Sequence, residues 1–173
     1  LLVQEQSHRT KNNLQSVSSL LNLQIHQLSD PIAIETMEES LMRIEAMLMA
    51  HHRLYQRDNL VEINLLHYLP DLIQSVLRSY HFESIRPIYE IQDIGLHSDK
   101  SIPLGLIVNE LTTNACKYAF KNNPAPALSI RCTLKAGIIS FTFSDNGPGF
   151  VPDTEKDSFG MQLIHLMADK LKA

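Results

Sequence analysis

The chain has 173 residues, 44% of them hydrophobic and 20% charged, and a formal net charge of −4. This is the composition of an ordinary soluble globular protein, and its acidic balance argues against a nucleic-acid binder held by phosphate contacts. No apolar run approaches the roughly 20 residues of a membrane-spanning helix, and the N-terminus does not read as a signal peptide. A cytoplasmic protein with no direct membrane contact is therefore expected. Cys116 and Cys132 lie inside apolar patterns without CxxC spacing and read as reduced core residues. The eight histidines are scattered, and the adjacent His51 and His52 point to different faces of a helix, a poor arrangement for a metal site.

Residues 1–57 are predicted to form an antiparallel helical hairpin. Its first arm carries Leu14, Val17, Leu21, Ile25 and Leu28 at helical spacing, with Leu20 and Leu23 as a second apolar edge. Ser29-Asp30-Pro31 breaks the pattern and restarts it, because a capping side chain followed by proline favours a helix N-terminus. On the second arm Ile34, Met37, Leu41, Ile44, Leu48, His51 and Tyr55 recur three and four apart, with Glu38, Glu39, Arg43 and Glu45 off that seam. Two such helices cannot cover both apolar stripes alone. The expected solution is a homodimer whose hairpins form a four-helix bundle; the alternative is packing against the rest of the same chain.

Residues 58–173 read as a second, α+β domain. Asn64 is placed to cap a helix over 65–80, in which Pro70 predicts a bend or an irregular first turn. Pro87 to Gln92 alternates as a strand, and Ser98 or Asp99 is expected to cap a long helix reaching Phe120. Two alternating runs, Leu128 to Leu134 and Ile139 to Phe143, flank the Lys135-Ala136-Gly137 turn as a hairpin. An amphipathic helix follows over Phe159–Leu171. Helices and strands mix without regular alternation, which predicts helices on one face of a sheet. The chain opens inside a helical pattern and closes directly after one, so a fragment lacking its C-terminal strand or strands is expected.

Chemistry concentrates in two places. In the long helix, Glu110 and Asn114 stand four residues apart on one face, near Asn109 and Lys117. Polar groups inside an apolar helix are costly without partners; a solvent-facing stripe would satisfy them, and so would Mg²⁺ carrying phosphate oxygens. The second place is Asp145-Asn146-Gly147-Pro148-Gly149-Phe150 after a strand. Its aspartate would sit at a sheet end, able to accept from an adenine amino group, and its glycines permit close backbone approach. Asn-Gly and Pro-Gly also make plain turns. Ser158-Phe159-Gly160-Met161 then opens a helix, whose N-terminus suits phosphate.

This order of motifs resembles the GHKL, or Bergerat, ATP-binding fold of histidine kinases and type II topoisomerases. The box His8-Arg9-Thr10-Lys11-Asn12-Asn13-Leu14-Gln15 resembles the dimerisation and phosphoacceptor hairpin of the sensor histidine kinases that share a His-Arg-x-Lys-Asn signature. The resemblance covers nearly the whole chain. It implies ATP with Mg²⁺, His8 as phosphoacceptor, Asn114 as the magnesium ligand and Glu110 near the metal or the attacking group. It further implies that Lys117 and Tyr118 contact phosphate and nucleotide, Asp145 reads adenine, Gly147 and Gly149 shape the loop, Gly160 closes the phosphate end, and 151–158 form a lid. The implied partner is the receiver domain of a response regulator, docked near His8. Three features depart from the best-known relatives: Arg9 stands where an acidic residue usually follows the histidine, the lid is short with one glycine at its C-terminal end, and the strands after the last helix are absent.

His8 lies about 120° from the apolar stripe and is expected to face outward. An imidazole is largely neutral near pH 7 and so nucleophilic. Glu5, three residues earlier, could orient the ring or take its proton, and Arg9 and Lys11 could steady phosphoryl charge. Two other functions fit less of the sequence. A phosphotransfer adaptor with a degenerate second domain would have no need of the intact Glu110, Asn114, Asp145, Gly147 and Gly149. A serine kinase on the same ATP fold would have no use for the hairpin.

Overall fold

The computed structural model describes residues 2–55, 62–149 and 158–173, with side chains from residue 9 to residue 50 in the first segment. The expected α+β architecture is present. Helices α1 (Leu2–Ile25) and α2 (Pro31–Tyr55) form the hairpin. At the α1 end, Gln27 and Leu28 donate to the carbonyls of Gln24 and Ile25, tightening the last turn. Asp30 restarts the chain as anticipated: its side chain accepts from the Ile32 amide at 3.0 Å and its carbonyl from Ile34, with Pro31 at the first helical position. Leu14, Leu21, Ile25 and Leu28 are half-buried, as are Ile34, Met37, Leu41, Ile44 and Leu48 on α2. The side chains of Glu5, His8, His51, His52 and Tyr55 lie outside the described residues.

Strand β1 (Glu62–Asn64) pairs antiparallel with β3 (Gly95–His97), setting Ile63 opposite Leu96. This small ladder has no counterpart among the sequence expectations; three-residue strands are too short to show a period. Asn64 caps α3 (Leu65–Ser79) as predicted, accepting from the Leu66 amide at 2.9 Å. The helix runs through Pro70 without interruption, because the proline forfeits only the bond to the carbonyl of exposed Leu66. Leu65, Tyr68, Leu69, Leu72, Ile73, Val76 and Leu77 form its buried stripe.

The main sheet has the order β2 (Ile88–Ile91), β4 (Leu128–Lys135), β5 (Ile138–Asp145), parallel then antiparallel. Its register sets Ile130 opposite Phe143 and Cys132 opposite Phe141. The hairpin turn uses positive φ at Ala136 and Gly137. Behind the sheet runs α4 (Ser98–Asn114), continued by a π-helical turn over Ala115–Ala119. Its cap corrects the expectation: His97, not Ser98 or Asp99, holds the extended cap conformation, and its ring accepts from the Asp99 amide. The pairing of β3 with β1 carries extended backbone through His97 and so places the helix start one residue early. Helix α5 (Phe159–Leu171) starts at the Ser158 cap and ends at Lys172 in the left-handed conformation.

Side chains of α3, α4 and β4 form one core cluster, and Ala46 and Ala50 of α2 belong to it. Alanines let α2 approach closely, so the hairpin packs on the rest of its own chain, the alternative the sequence left open. That contact leaves a second apolar edge uncovered: Leu20 and Leu23 are 61% and 64% exposed. No described helix is long and apolar enough to cross a membrane.

Candidate nucleotide site

The end of α4, the π-helical turn, the end of β5 and α5 enclose a cavity of about 490 Å³. That volume falls in the range of small-molecule and cofactor sites. Leu111, Ala115, Ala119, Phe143, Met161 and Ile164 supply apolar walls, and Asn114, Tyr118, Asp145 and Ser158 supply polar groups.

Asp145 is the last residue of β5, set opposite Leu128 by the ladder. Its Oδ1 accepts from the Gly147 amide at 2.9 Å, and the carboxylate remains exposed at the cavity wall. Gly147 is required by space: a Cβ there would stand 2.4 Å from the Ala119 Cβ and 2.9 Å from Asp145 Oδ1. Gly149 is required by conformation, with φ at +72°. The loop has an anchor that the sequence reading treated only as part of a turn. Asn146 Oδ1 accepts from the Ala127 amide at 2.8 Å and from Asn123 Nδ2 at 3.0 Å, while its Nδ2 donates to the Ala125 carbonyl at 2.8 Å. Asn146 thereby ties the Asp145–Gly149 loop to the segment before β4. The only sequence signal was a side chain able to both donate and accept beside a strand end.

The long helix divides its polar residues between two neighbours. The Phe120 amide donates to the Ala115 carbonyl at 2.9 Å, five residues back, and such π-turns re-aim the side chains they carry. Tyr118, 68% exposed, lines the cavity. Lys117 turns to α2, where Nζ stands 2.6 Å from Glu35 Oε1 and also bonds Glu39. Burial opposes the Lys117 charge, but the hydrogen bonds to Glu35 and Glu39 outweigh it and raise the pKa above the lysine range.

Glu110 is 2% exposed and does not line the cavity. Arg43 of α2 grips it at both oxygens, Nε to Oε1 and Nη2 to Oε2, each at 2.8 Å, while Asn109 Nδ2 donates to Oε1 at 3.2 Å. Arg43 also reaches Glu39 at 3.2 Å and lies over the Phe159 ring, 4.9 Å from its centroid. Burial works against the Arg43 charge, yet the bonds to Glu110 hold its pKa above the ordinary value. The partner that relieves this buried carboxylate is thus a guanidinium rather than a metal. Gly160 packs against the same group, since a Cβ there would lie 2.9 Å from Glu110 Oε2.

The residues present suit a nucleotide and its cation. A cavity of this size, lined by Gly149 with φ at +72°, gives backbone access to a flat or phosphorylated ligand. Asn114 offers a neutral oxygen donor at the wall, enough for Mg²⁺, which takes few protein ligands and completes its shell with phosphate and water. His8 lies on α1, roughly 25 Å along the helix from the hairpin turn. Of the lid expected over 151–158, only Ser158 falls among the described residues.

Comparison with known proteins gives the same picture. A family model described as histidine kinase matches residues 5–80, and one described as histidine kinase-like ATPase domain matches residues 86–173. The chain is 30% identical over 172 residues to the sensor histidine kinase PdtaS of Mycobacterium tuberculosis H37Rv, and 25% identical over 170 residues to PdtaS of Mycolicibacterium smegmatis. Each alignment takes in 95% of this chain but 34% of the relative, so the chain spans about a third of the length of the curated relatives it matches. Its fold is similar to that of the blue-light activated histidine kinase of Erythrobacter litoralis EL346, with a TM-score of 0.68 and 20% identity over 96% of this chain and 54% of that one. The histidine kinase domain of that protein gives 0.66 and 16% over 91% and 84%. With both of its halves matched in this order, the chain belongs to the histidine kinase family and carries that family's ATPase-type domain.

Proposed function

We propose that the chain is the core of a sensor histidine kinase that phosphorylates His8 from Mg-ATP and passes the phosphoryl group to an aspartate of a response regulator. The observation that carries this reading is the cavity that joins Asn114, Tyr118, Asp145 and Gly149 in a domain attached to a helix bearing His8. An adaptor with a degenerate second domain would not need it.

In this reading Asp145 receives the adenine amino group, the glycine loop and the α5 N-terminus approach the phosphates, and Asn114 holds Mg²⁺. The cation neutralises charge on the phosphates when bound. An imidazole nitrogen of His8 attacks the γ-phosphorus, the bond from that phosphorus to the β-phosphate oxygen breaks, and ADP leaves. The ring proton passes to a base, for which Glu5 stands one turn away on the helix. A carboxylate oxygen of the regulator then takes the phosphoryl group as the N–P bond breaks, restoring the histidine. The uncovered stripe of Val17, Leu20 and Leu23 supports a homodimer through the hairpin.

Incubation with γ-labelled ATP and Mg²⁺ tests the assignment. Acid-labile label is expected on the wild type and none on His8→Gln. Label retained by the variant would remove His8 from the reaction, and acid-stable label would indicate a hydroxyl acceptor instead.

A further inference from the structure

Five charged side chains form a chain across the boundary between hairpin and ATPase-type domain: Glu35, Lys117, Glu39, Arg43 and Glu110, each bonded to the next. Three come from α2 and two from α4 and its π-turn. Neither of the latter lines the cavity, and both are bonded to α2. The Glu110 carboxylate accepts three hydrogen bonds, two at Oε1 and one at Oε2, and is 2% exposed.

The position of this contact along the hairpin matters as well. Arg43 lies roughly 18 Å, and Glu39 roughly 12 Å, from the start of α2, whereas His8 lies roughly 25 Å from the end of α1. The cavity end of α4 is therefore held toward the hairpin turn, while Ala46 and Ala50, further along α2, pack in the shared core.

We propose that Glu35, Glu39 and Arg43 form a docking surface for the ATPase-type domain that is sensitive to nucleotide charge. Nucleotide phosphates and the two glutamates compete for Lys117, so docking and nucleotide binding oppose one another. Binding of Mg-nucleotide draws Lys117 from Glu35 and Glu39, which removes two ion pairs from the boundary and weakens the hold of α2 on the domain. This inference rests on the nucleotide reading of the cavity. Because coupling between two equilibria is reciprocal, docking weakens nucleotide binding by the factor by which nucleotide weakens docking, so a variant that docks less binds nucleotide more tightly.

The test is titration of the wild type and a Glu35→Gln, Glu39→Gln double variant with Mg²⁺ and a non-hydrolysable ATP analogue, with hydrogen exchange of residues 35–45 and 110–119 read in parallel. Neither substituted position lines the cavity, and circular dichroism confirms that the variant is folded. About five- to tenfold tighter binding by the variant is expected, within the usual range of coupling. Faster exchange at both segments is expected in the nucleotide-free variant and in the nucleotide-bound wild type. Unchanged or weaker binding by a folded variant would overturn the docking surface while leaving the nucleotide site intact. Absence of binding by both proteins would overturn the nucleotide reading, and this inference with it.

Discussion

Glu110 and Asn114 stand one turn apart on a single helix, yet they live in opposite settings. Glu110 is closed in by Arg43, Asn109 and the Gly160 backbone, with three hydrogen bonds to its carboxylate. Asn114 faces a cavity of about 490 Å³ across from Asp145. One end of the helix is built to hold the molecule together, the other to hold something else. Spacing puts two residues on a face; the neighbours decide what the face is for.

If this division is right, substitutions on the two sides should fail differently. Arg43→Ala strands the Glu110 carboxylate in a buried site, where breaking such a pair costs about 3–5 kcal/mol. Urea unfolding should show that loss, and the melting temperature should fall by about 10 °C. Arg43→Met combined with Glu110→Leu should restore most of it, because the stranded charge is gone. A double variant as unstable as Arg43→Ala would mean that the charges themselves, rather than their mutual satisfaction, stabilise the contact.

On the cavity side, Asp145→Ala should leave the melting temperature within about 2 °C, since the carboxylate is exposed. It should weaken nucleotide binding about 10- to 100-fold, the loss expected when a charged hydrogen-bond acceptor is removed. A calorimetric titration that shows equal affinity would place the base elsewhere.

The buried side of the π-turn also predicts a pH response. Burial pushes the Cys116 thiol from 9.0 up to about 12. The unfolded chain then gives up this proton near pH 9 while the folded chain retains it. Stability is therefore fully present below pH 9 and falls as pH rises toward 12, by about 1.4 kcal/mol per unit from this group. Burial also pushes Tyr80 and Tyr89 up to about 12, which adds to the loss above pH 10. Denaturation at pH 8 and pH 10 should separate by about 1–2 kcal/mol, and Cys116→Ala should narrow the gap. A gap unaltered by the variant would assign it to other groups.

Asn146→Ala is the mildest case. It removes three hydrogen bonds from a half-open loop and should cost about 1–2 kcal/mol of stability. Affinity for nucleotide should fall several-fold, because the Asp145–Gly149 loop loses its side-chain ties to Ala125 and Ala127 and keeps only the bond from the residue 146 amide to the Ala127 carbonyl. Faster hydrogen exchange at residues 123–127 would report the same loosening.

Much of this architecture is legible one segment at a time. The Asp30-Pro31 restart, the Asn64 and Ser158 caps, the β4–β5 alternation and the glycines beside Asp145 are each specified within a few residues. Caps, turns and periodicity are local physics. The β1–β3 ladder was not legible, because two three-residue strands acquire meaning only when they meet. The shift of the α4 cap to His97 follows from that same meeting.

What the tertiary structure alone decided is which partner each polar residue of the long helix received. Arg43 finds Glu110 across 67 residues and Lys117 finds Glu39 across 78, separations at which no local pattern constrains pairing. The sequence required that a buried carboxylate be satisfied, since an unpaired charge in a dry core is too costly to persist. Only the close approach of α2, made possible by Ala46 and Ala50 in the shared core, determined that a guanidinium would satisfy it.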